Sequence, residues 1–471
     1  MFVIQKHLRY QNRMPLPTKP LTSPSATAPG KWLMYVMALI AFVVLIAFAK
    51  DGLVWFSGGD ARAVCAAANA YGSGRDPYYL GNLNTNLPYY YVPVTLELLR
   101  PVCAGGVFVR YVQEIYLGFG LISAFLLAGF SFARRGRRDT MLKMLFVFGG
   151  LQGLQSTFRT GNLAMIDGFL SALALFLLYR GFSLQEDQHK RSELYYVSGA
   201  AILGLTLSLK LIFLPVLVGF YFLPLARARK WTLIGIAVVC FTMPILISYV
   251  FYHDLFFSWL DSMLGRIPNQ MSPTTDGCNR SLYCLAQALA ENAGFIRNKQ
   301  DATILFYALA VTLVAGSLLA WIVHFVKREP GAGSFFVRLD RRLLANPRFA
   351  MRLATLAMLA LALCAPRLRE YSFFGLAVYA AMLVADLPPR ELAVLFAVAI
   401  VGPLYADLPG SRSALPYIAH FAQTLAAVFC YVVLLLDLKP AFTRLAPGGQ
   451  ITMDRFFVRS PSPHPKVATT A

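Results

Sequence analysis

Long hydrophobic runs, separated by short polar stretches, make up most of this chain. Their lengths of roughly 18 to 25 residues match what a helix needs to cross the hydrocarbon core of a bilayer. The pattern therefore predicts membrane-spanning helices. Twelve spans are predicted, at about residues 33–50, 110–133, 140–158, 162–180, 194–209, 211–226, 231–250, 302–326, 350–365, 371–387, 391–407 and 414–436.

The composition agrees with this pattern. Hydrophobic residues make up 57% of the 471 residues, charged residues make up 14%, and the mean hydropathy is +0.57. A soluble chain of this length carries roughly a quarter charged residues. The predicted fold class is therefore an all-α polytopic membrane protein.

The positive charge of the chain indicates its orientation. The formal net charge is +20, and basic clusters such as 134–138 and 227–230 fall in short loops on one side of the predicted membrane. The positive-inside rule places these loops in the cytoplasm. Because the charge is then explained by anchoring to a negative inner leaflet, nucleic acid is not an expected partner.

Three regions follow from this topology. Residues 1–32 are predicted to be a disordered cytoplasmic N-terminus, 33–437 a transmembrane domain, and 438–471 a cytoplasmic tail. Two outer loops are long, at about 51–109 and 251–301. In the first loop, small residues at helical spacing predict a short helix from Asp60 to Tyr71 that stops at Gly72.

Asp60 is an isolated acid at the outer water edge, directly after the first span. Several cations share this outer side against the general charge bias: Arg159, Lys210, Arg266, Arg280, Arg367 and Arg369. Ionisable groups are costly at this depth, and a bound phosphate or pyrophosphate would explain them. The alternatives are salt bridges to nearby acids such as Asp167 or Glu370, or snorkelling into headgroups. For Asp60, the structural alternative is a helix N-cap.

The first outer loop is also rich in aromatic residues. Tyr78, Tyr79, Tyr89, Tyr90 and Tyr91 stand among prolines and asparagines. Tyrosine has an apolar body and a polar tip, so such a surface suits a sugar ring or a lipid boundary. An ordinary interfacial aromatic belt is the alternative interpretation.

The cysteines and histidines indicate no metal site. Two outer pairs, Cys278 with Cys284 and Cys65 with Cys103, are candidates for disulfides on an oxidising side of the membrane. The six histidines are scattered without ligand spacing, so no metal and no cofactor are expected.

Four stretches resemble glycosyltransferase family 87. Asp60 with 74–78 and the turn at 91–93 resembles the first extracytoplasmic loop of that family. Residues 161–181, 199–215, and 279–282 with 365–371 are similar to later family stretches, so the resemblance covers roughly 50–375 in family order. The chain departs from the family where Gly161-Asn162-Leu163-Ala164 stands for a frequent Gly-Gln-x-Asn, and where Ser372 stands for a frequent aspartate.

The resemblance implies a fold, a reaction and a set of site residues. It implies a GT-C-like bundle of about twelve spans and sugar transfer, with mannose as one candidate, from a polyprenyl-phosphate donor to a hydroxyl of a lipid or glycan. The active site would lie on the periplasmic face of a bacterial inner membrane. Asp60 would be the general base, with inversion at the sugar. Candidates for binding phosphate or substrate are Arg367, Arg369, Lys210, Arg280, Arg159, Asn279, Tyr371, Asp76 and Tyr78, with Asp76 also the second candidate for the base.

Two other functions fit the sequence pattern. A transporter or flippase of an anionic lipid or solute would explain the spans and outer cations without catalysis. It predicts polar residues across the whole bilayer and broken spans near its middle. An O-antigen-type ligase or polymerase would also use outer arginines and a lipid-linked donor.

Overall fold

The structure is a computed structural model. It describes residues 31–53, 58–85, 87–129, 134–185, 189–267, 279–294, 299–327, 333–406 and 416–438. Most of the predicted N-terminal segment 1–32 and tail 438–471 lies outside these ranges, as does Cys278. Within them the chain is helical and contains no strand, only one isolated antiparallel bridge between Asn279 and Arg369.

The α-helices of the described residues share one packed bundle. In chain order they are α1 Lys31–Leu53, α2 Gly59–Gly72, α3 Val94–Cys103, α4 Val107–Ala128, α5 Arg134–Gly149, α6 Gly153–Thr160, α7 Ala164–Leu184, α8 His189–Ser208, α9 Arg227–Phe251, α10 His253–Met263, α11 Leu282–Asn292, α12 Lys299–Lys327, α13 Phe335–Ala345, α14 Pro347–Leu363, α15 Phe373–Val384, α16 Pro389–Phe396, α17 Gly402–Ala406, α18 Pro416–His420 and α19 Ala422–Asp437. The 3₁₀ segments are Leu80–Asn82, Ala104–Gly106, Gly150–Gln152, Leu211–Phe222 and Glu370–Ser372, and Ala397–Val401 is a π-helical turn.

Five stretches of the described chain are long and apolar enough to cross a membrane. They are Val94–Ala128, Ala164–Leu184, Arg227–Phe251, Lys299–Lys327 and Pro389–Ala406. Four shorter apolar helical stretches, Tyr35–Ala49, Leu211–Phe222, Glu370–Val384 and Ala422–Asp437, lie in other predicted spans. The protein is thus a multi-pass membrane protein, and the number twelve stays a prediction.

Two of the predicted boundaries differ from the structure. The stretch 94–109, expected in the outer loop, is helical, because α3 and the start of α4 continue the apolar run. The predicted span 140–158 is broken between α5 and α6, where Leu151 and Gln152 have φ angles of 55° and 54°. Such left-handed residues do not continue a helix.

The break in this span lets α6 approach α15 closely. A Cβ atom on Gly153 would lie 2.2 Å from the backbone nitrogen of Phe374, so only glycine fits at this crossing. Helix α6 then runs to Thr160, and its last turn carries Arg159. The glycines around the break, Gly149, Gly150 and Gly153, were the sequence signal that the span prediction overlooked.

Helix α2 is held against α3 by covalent and polar contacts. Cys65 and Cys103 form a disulfide, with Cα atoms 5.2 Å apart. The Tyr71 hydroxyl donates a hydrogen bond to the Glu97 carboxylate at the other end of the pair. The face of α2 between these contacts is buried through alanines at helical spacing. Helices α2 and α3 therefore form one fixed unit.

Replacing Cys65 and Cys103 by serine is expected to destabilise the protein. The disulfide joins residues 38 apart in the sequence, and closing a loop of that length contributes about 4 kcal/mol in the chain-entropy description. Thermal unfolding of the purified protein would be followed with and without a reductant. The control is Cys240→Ser, since Cys240 is a free thiol. Equal midpoints for the double variant and the wild type would contradict the expectation.

Candidate active site

Asp60 lies in the first turn of α2 and not at its N-cap. Gly58 takes the N-cap position in a left-handed conformation with φ of 53°. The Asp60 carboxylate instead accepts a hydrogen bond from Asn162 Nδ2 at 2.9 Å. The Thr160 hydroxyl also lies within hydrogen-bonding reach of it. The N-cap alternative for Asp60 is therefore wrong, because its side chain is directed to the end of α6 and not to its own helix.

The turn after α6 brings Asn162 to the acid. Gly161 has φ of +72°, and a Cβ atom there would lie 2.7 Å from the Cβ of Ala61. Only glycine permits both the left-handed backbone and this close approach to α2. Gly58 N donates to the Arg159 carbonyl at 3.2 Å, and Tyr116 donates to the Gly161 carbonyl. The Asn162 Oδ1 atom accepts from the backbone N–H of Ala164, which fixes the amide orientation.

Asp60 faces a cavity of about 140 Å³. This is roughly ten times the space that a single water needs. Its charged and polar lining comes from segments far apart in the sequence. The residues that line it are Asp60, Ala63, Val64, Leu87, Pro88, Tyr89, Tyr90, Tyr91, Val92, Asn162, Ser208, Leu209, Lys210, Leu211, Ile212, Trp259, Met263, Arg367, Arg369, Tyr371 and Ser372.

Three of the predicted cations line this cavity together with Asp60. They are Lys210, Arg367 and Arg369. The Arg367 guanidinium lies 5.2 Å from the centroid of the Tyr90 ring, and Arg369 hydrogen-bonds the Tyr371 hydroxyl. Three positive groups beside one carboxylate leave the cavity with an excess of positive charge, which favours an anionic ligand.

Lys210 lines the cavity and also forms an ion pair with Asp167. Its Nζ atom lies 3.0 Å from Asp167 Oδ2 and 5.1 Å from the centroid of the Tyr371 ring. Asp167 was one of the acids proposed as a salt-bridge partner, and this pairing fixes the direction of the lysine side chain. Because Lys210 also lines the cavity, the ion pair and contact with an anionic ligand are compatible.

Arg159 and Arg280 occupy different positions from the one predicted. Neither lines the cavity. Both bind the same carboxylate: Arg159 Nη2 lies 2.7 Å from Glu370 Oε2, and Arg280 Nη2 contacts Glu370 Oε1. The salt-bridge alternative applies to these two arginines, because a half-buried acid takes up both guanidinium groups.

Asn279 supports the segment that carries the cavity arginines. Its Oδ1 accepts hydrogen bonds from the backbone N–H groups of Ser281 and Leu368, at 3.1 and 3.0 Å. The Arg280 backbone N–H donates to the Leu368 carbonyl at 2.7 Å. Asn279 does not line the cavity, so its predicted contact with substrate is replaced by a contact with the loop that holds Arg367 and Arg369.

Asp76 and Tyr78 likewise lie outside the cavity. Asp76 Oδ1 accepts from the Tyr78 backbone N–H at 2.8 Å, the geometry of a turn-forming aspartate. The Tyr78 side chain is fully buried, and its hydroxyl donates to the Tyr91 carbonyl at 2.7 Å. These contacts fix the loop that places Tyr90 and Tyr91 in the cavity wall.

The tyrosine-rich stretch is therefore divided between core and cavity. Tyr78 and Tyr89 are buried and contact each other, whereas Tyr79 is exposed. Trp259 of α10 donates from Nε1 to the Tyr90 carbonyl at 3.0 Å. Tyr78 lies in the core and outside the cavity, whereas Tyr89, Tyr90 and Tyr91 all line the cavity.

The electrostatics of the cavity act on Asp60 in opposite directions. Burial raises the pKa of Asp60, while the Asn162 hydrogen bond and the positive charges of Arg369 and Lys210 lower it in part. The net direction is upward from the ordinary value. Burial also raises the pKa of Tyr91 well above its usual range, and Asp167 adds to this. Tyr91 is thus a neutral hydrogen-bond donor at physiological pH.

The predicted site has no second disulfide and no metal cluster within the residues that the structure describes. Cys284 carries a free thiol, and its proposed partner Cys278 lies outside the described residues. Across the described ranges, no three His, Cys, Asp or Glu side chains are grouped closely enough to hold a metal ion. The sequence did not identify Asn162 or Glu370 as site residues, although both stand in stretches that resemble the family.

The comparisons with known proteins decide the family. The sequence model of glycosyltransferase family 87 matches residues 89–339. The chain belongs to glycosyltransferase family 87. The name of this family is that of glycosyltransferases. The matched range contains Lys210 and Asn162, while Asp60 and Arg369 lie on either side of it.

Comparison of structures with this family 87 protein finds a similar solved chain. It is the archaeal oligosaccharyltransferase AglB from Archaeoglobus fulgidus, in complex with an inhibitory peptide and a dolichol-phosphate. The identity is 14% and the TM-score is 0.35, with 86% of this chain and 56% of that chain covered. This chain thus spans little more than half the length of that relative. No curated protein matches the sequence.

Proposed function

We propose that this family 87 protein transfers a sugar from a polyprenyl-phosphate donor to the hydroxyl of a lipid or glycan acceptor, with inversion. The observation that carries the proposal is the cavity in which Asp60 faces Lys210, Arg367 and Arg369. The proposed reaction needs a base that takes a proton and positive groups beside a phosphate that leaves. A carboxylate next to several cations supplies both. The sugar, with mannose as the first candidate, is part of the proposal.

In the proposed reaction Asp60 accepts the proton of the acceptor hydroxyl. The acceptor oxygen forms a bond to the anomeric carbon as the bond from that carbon to the donor phosphate oxygen breaks. The polyprenyl phosphate leaves with the electron pair, and its growing negative charge is stabilised by Arg369, Arg367 and Lys210. One carboxylate suffices, because attack from the opposite face of the ring needs no covalent intermediate.

The surroundings of Asp60 suit this role. The Asn162 amide donates to Oδ2, and the amide is itself fixed by the Ala164 backbone N–H. Because Asp60 also lines the cavity, its carboxylate can accept from an acceptor hydroxyl bound there. The neutral Tyr91 hydroxyl in the cavity wall adds a donor for a sugar or acceptor oxygen.

The membrane placement is part of the same proposal. Twelve spans, cytoplasmic termini and an active site at the outer face of a bacterial inner membrane would put the cavity at headgroup depth. The apolar residues Leu211, Ile212 and Met263 also line the cavity. A lipid phosphate with a long hydrocarbon tail has this combination of chemistry.

The pH dependence of transfer is expected to reflect Asp60. A general base acts only when ionised, and burial raises the pKa of Asp60 above the ordinary 3.8 of an aspartate. The value of kcat/KM is therefore expected to be full at pH above this raised pKa and to fall about tenfold for each unit below it. Initial rates at donor and acceptor concentrations well below their KM values, measured across pH, give this profile. An acidic limb at or below pH 3.8 would contradict it.

Purified protein in lipid nanodiscs tests the proposed function directly. Synthetic polyprenyl-phosphate mannose, labelled in the sugar, would be supplied with lipid acceptors, and the Asp60→Asn variant serves as the matched control. The expected result is label in the acceptor with the wild type and very little with the variant. The related glucose and arabinose donors would be supplied in parallel to identify the sugar.

The same material distinguishes the alternative functions. Donor that crosses the bilayer of reconstituted vesicles without any transfer would favour a flippase and overturn the proposal. Transfer of a preassembled glycan from a polyprenyl diphosphate, with no use of the monophosphate sugar, would favour a ligase. Full transfer by Asp60→Asn would eliminate the mechanism while leaving the reaction class intact.

A further inference from the structure

A carboxylate that the proposed reaction does not use joins the two sides of the cavity. Glu370 binds Arg159 through Oε2 at 2.7 Å and Arg280 through Oε1. The three side chains are 20%, 21% and 8% exposed, so the contacts are largely shielded from water. We call this group of Glu370, Arg159 and Arg280 the Glu370 clamp. None of its members lines the cavity.

Arg159 links the Glu370 clamp to the side of the cavity that holds Asp60. The Arg159 carbonyl accepts the Gly58 N–H at 3.2 Å, just before α2 begins. Arg159 is followed directly by Thr160, which lies against the Asp60 carboxylate, and two residues further by Asn162, which donates to it. The position of Arg159 therefore sets both the start of α2 and the hydrogen-bond donors to Asp60.

Arg280 links the Glu370 clamp to the side of the cavity that holds Arg369. Glu370 stands between Arg369 and Tyr371, which both line the cavity. The Arg280 backbone N–H donates to the Leu368 carbonyl at 2.7 Å, and its guanidinium binds Glu370. Arg280 thus holds this segment at two points. Its own carbonyl accepts from the Thr424 hydroxyl of α19, so Arg280 is tied to the bundle.

We propose that Glu370 is a positioning residue that fixes Asp60 and Arg369 at the separation the transfer reaction requires. The inference rests on the proposed function for its catalytic consequence, and on the contacts alone for its geometry. Charge-assisted hydrogen bonds from two guanidinium groups to one carboxylate give a rigid junction. Misplacement of reacting groups by about 1 Å can cost on the order of 100-fold in rate.

Glu370→Gln tests the clamp because it keeps the shape of the side chain and removes its charge. The acid side and the cation side are then free to separate, so Asp60 loses part of its contact with Asn162 and with Arg369. Both contacts lower the pKa of Asp60. The pH at which half of Asp60 is protonated is expected to rise by about one pH unit, since a hydrogen bond to a charged group is lost or weakened. We expect kcat to fall about 10- to 100-fold, with a smaller change in KM.

A chemical label measures the protonation of Asp60 without any need for activity. A hydrophobic carbodiimide reacts with protonated carboxyl groups, and mass spectrometry of the peptide that contains Asp60 gives the labelled fraction at each pH. The groups around Asp60 are Asn162, Thr160, Arg369, Lys210, Tyr91, Tyr116 and Tyr371. The substitution also removes the negative charge that Arg159 and Arg280 bind, and this change of charge by itself lowers the pKa of Asp60. A raised midpoint therefore reports displacement of the groups around Asp60.

Matched variants separate positioning from general damage. Glu391→Gln makes the same chemical change at an exposed carboxylate of α16 and is expected to leave the midpoint and kcat unchanged. Glu370→Asp keeps the charge, so its midpoint is expected to lie closer to that of the wild type than the midpoint of Glu370→Gln does. If Glu370→Gln gives no folded protein, Glu370→Asp and Arg159→Lys, which preserve charge and alter length, are measured by the same label and should each raise the midpoint to a smaller degree.

The outcomes distinguish the clamp from the proposed function. A raised midpoint in Glu370→Gln supports the clamp, even where the wild type transfers no sugar and the proposed function fails. A wild type that transfers sugar beside a Glu370→Gln protein with unchanged midpoint and kcat overturns the clamp and leaves the function standing. A lower yield of folded protein with an unchanged midpoint would assign Glu370 to stability alone.

Discussion

Asp60→Asn is expected to lower kcat for sugar transfer by about 10²- to 10⁴-fold, the range for loss of a positioned general base. The amide has nearly the same size and can stay beside Asn162, but it cannot accept the acceptor proton. KM for the donor is expected to change little, since the phosphate side of the cavity is untouched. Initial rates at varied donor and acceptor concentrations give both constants.

Asp76→Asn is the matched control for this variant. Asp76 is the other acid of the first outer loop that sequence reasoning considered, and its carboxylate accepts from the Tyr78 backbone N–H in a turn. Asparagine also forms such turns, so near-normal activity is expected. A loss as large in Asp76→Asn as in Asp60→Asn would contradict the assignment of the base.

Arg369→Gln is expected to lower kcat/KM by about 10²- to 10³-fold, the range for removal of one donor that stabilises developing charge. Arg369 lines the cavity beside Asp60 and hydrogen-bonds Tyr371. Its removal takes away positive charge where the phosphate leaves. The substitution also removes a charge that lowers the pKa of Asp60, so the acidic limb of the pH profile should move to higher pH.

Arg266→Gln provides the control for the arginine. Arg266 was predicted on the same outer side, and its side chain is 67% exposed. Its Nη1 atom lies 3.5 Å from Asp261 Oδ1, and neither residue lines the cavity. Its replacement is expected to leave kcat/KM within about twofold of the wild type, because exposed ion pairs contribute little. Equal losses in the two variants would indicate a general charge effect instead of a specific phosphate contact.

Local patterns predicted several parts of the fold and site. The small-residue helix expected from Asp60 to Tyr71 corresponds to α2 at Gly59–Gly72, because buried alanines at helical spacing define its packed face. The gathering of Lys210, Arg367 and Arg369 near Asp60 followed from a topological argument. Cations placed against the positive-inside bias need a local reason, and here they share one cavity.

Other parts depend on contacts that the sequence pattern does not encode. The pairing of Arg159 with Glu370 joins residues 211 apart, and the Asp60–Asn162 hydrogen bond joins residues 102 apart. Pattern reasoning can place such groups on one side of a membrane but cannot rank their partners. The break at Leu151 and Gln152 did have a local signal in the neighbouring Gly149, Gly150 and Gly153, but these two residue types do not ordinarily adopt positive φ, so the position of the break was not predicted.

The close approach of Gly161 to Ala61 has a consequence for how such a protein tolerates change. The spacing between these backbones is set by a missing atom, so even the smallest replacement at position 161 would push the acid-bearing helix outward. Asp60 and the cations of the cavity would all be present in that variant. Mutagenesis restricted to charged residues would therefore not detect the displacement of the helix. Inactive variants that still carry an intact set of charges are therefore informative when they map to this turn.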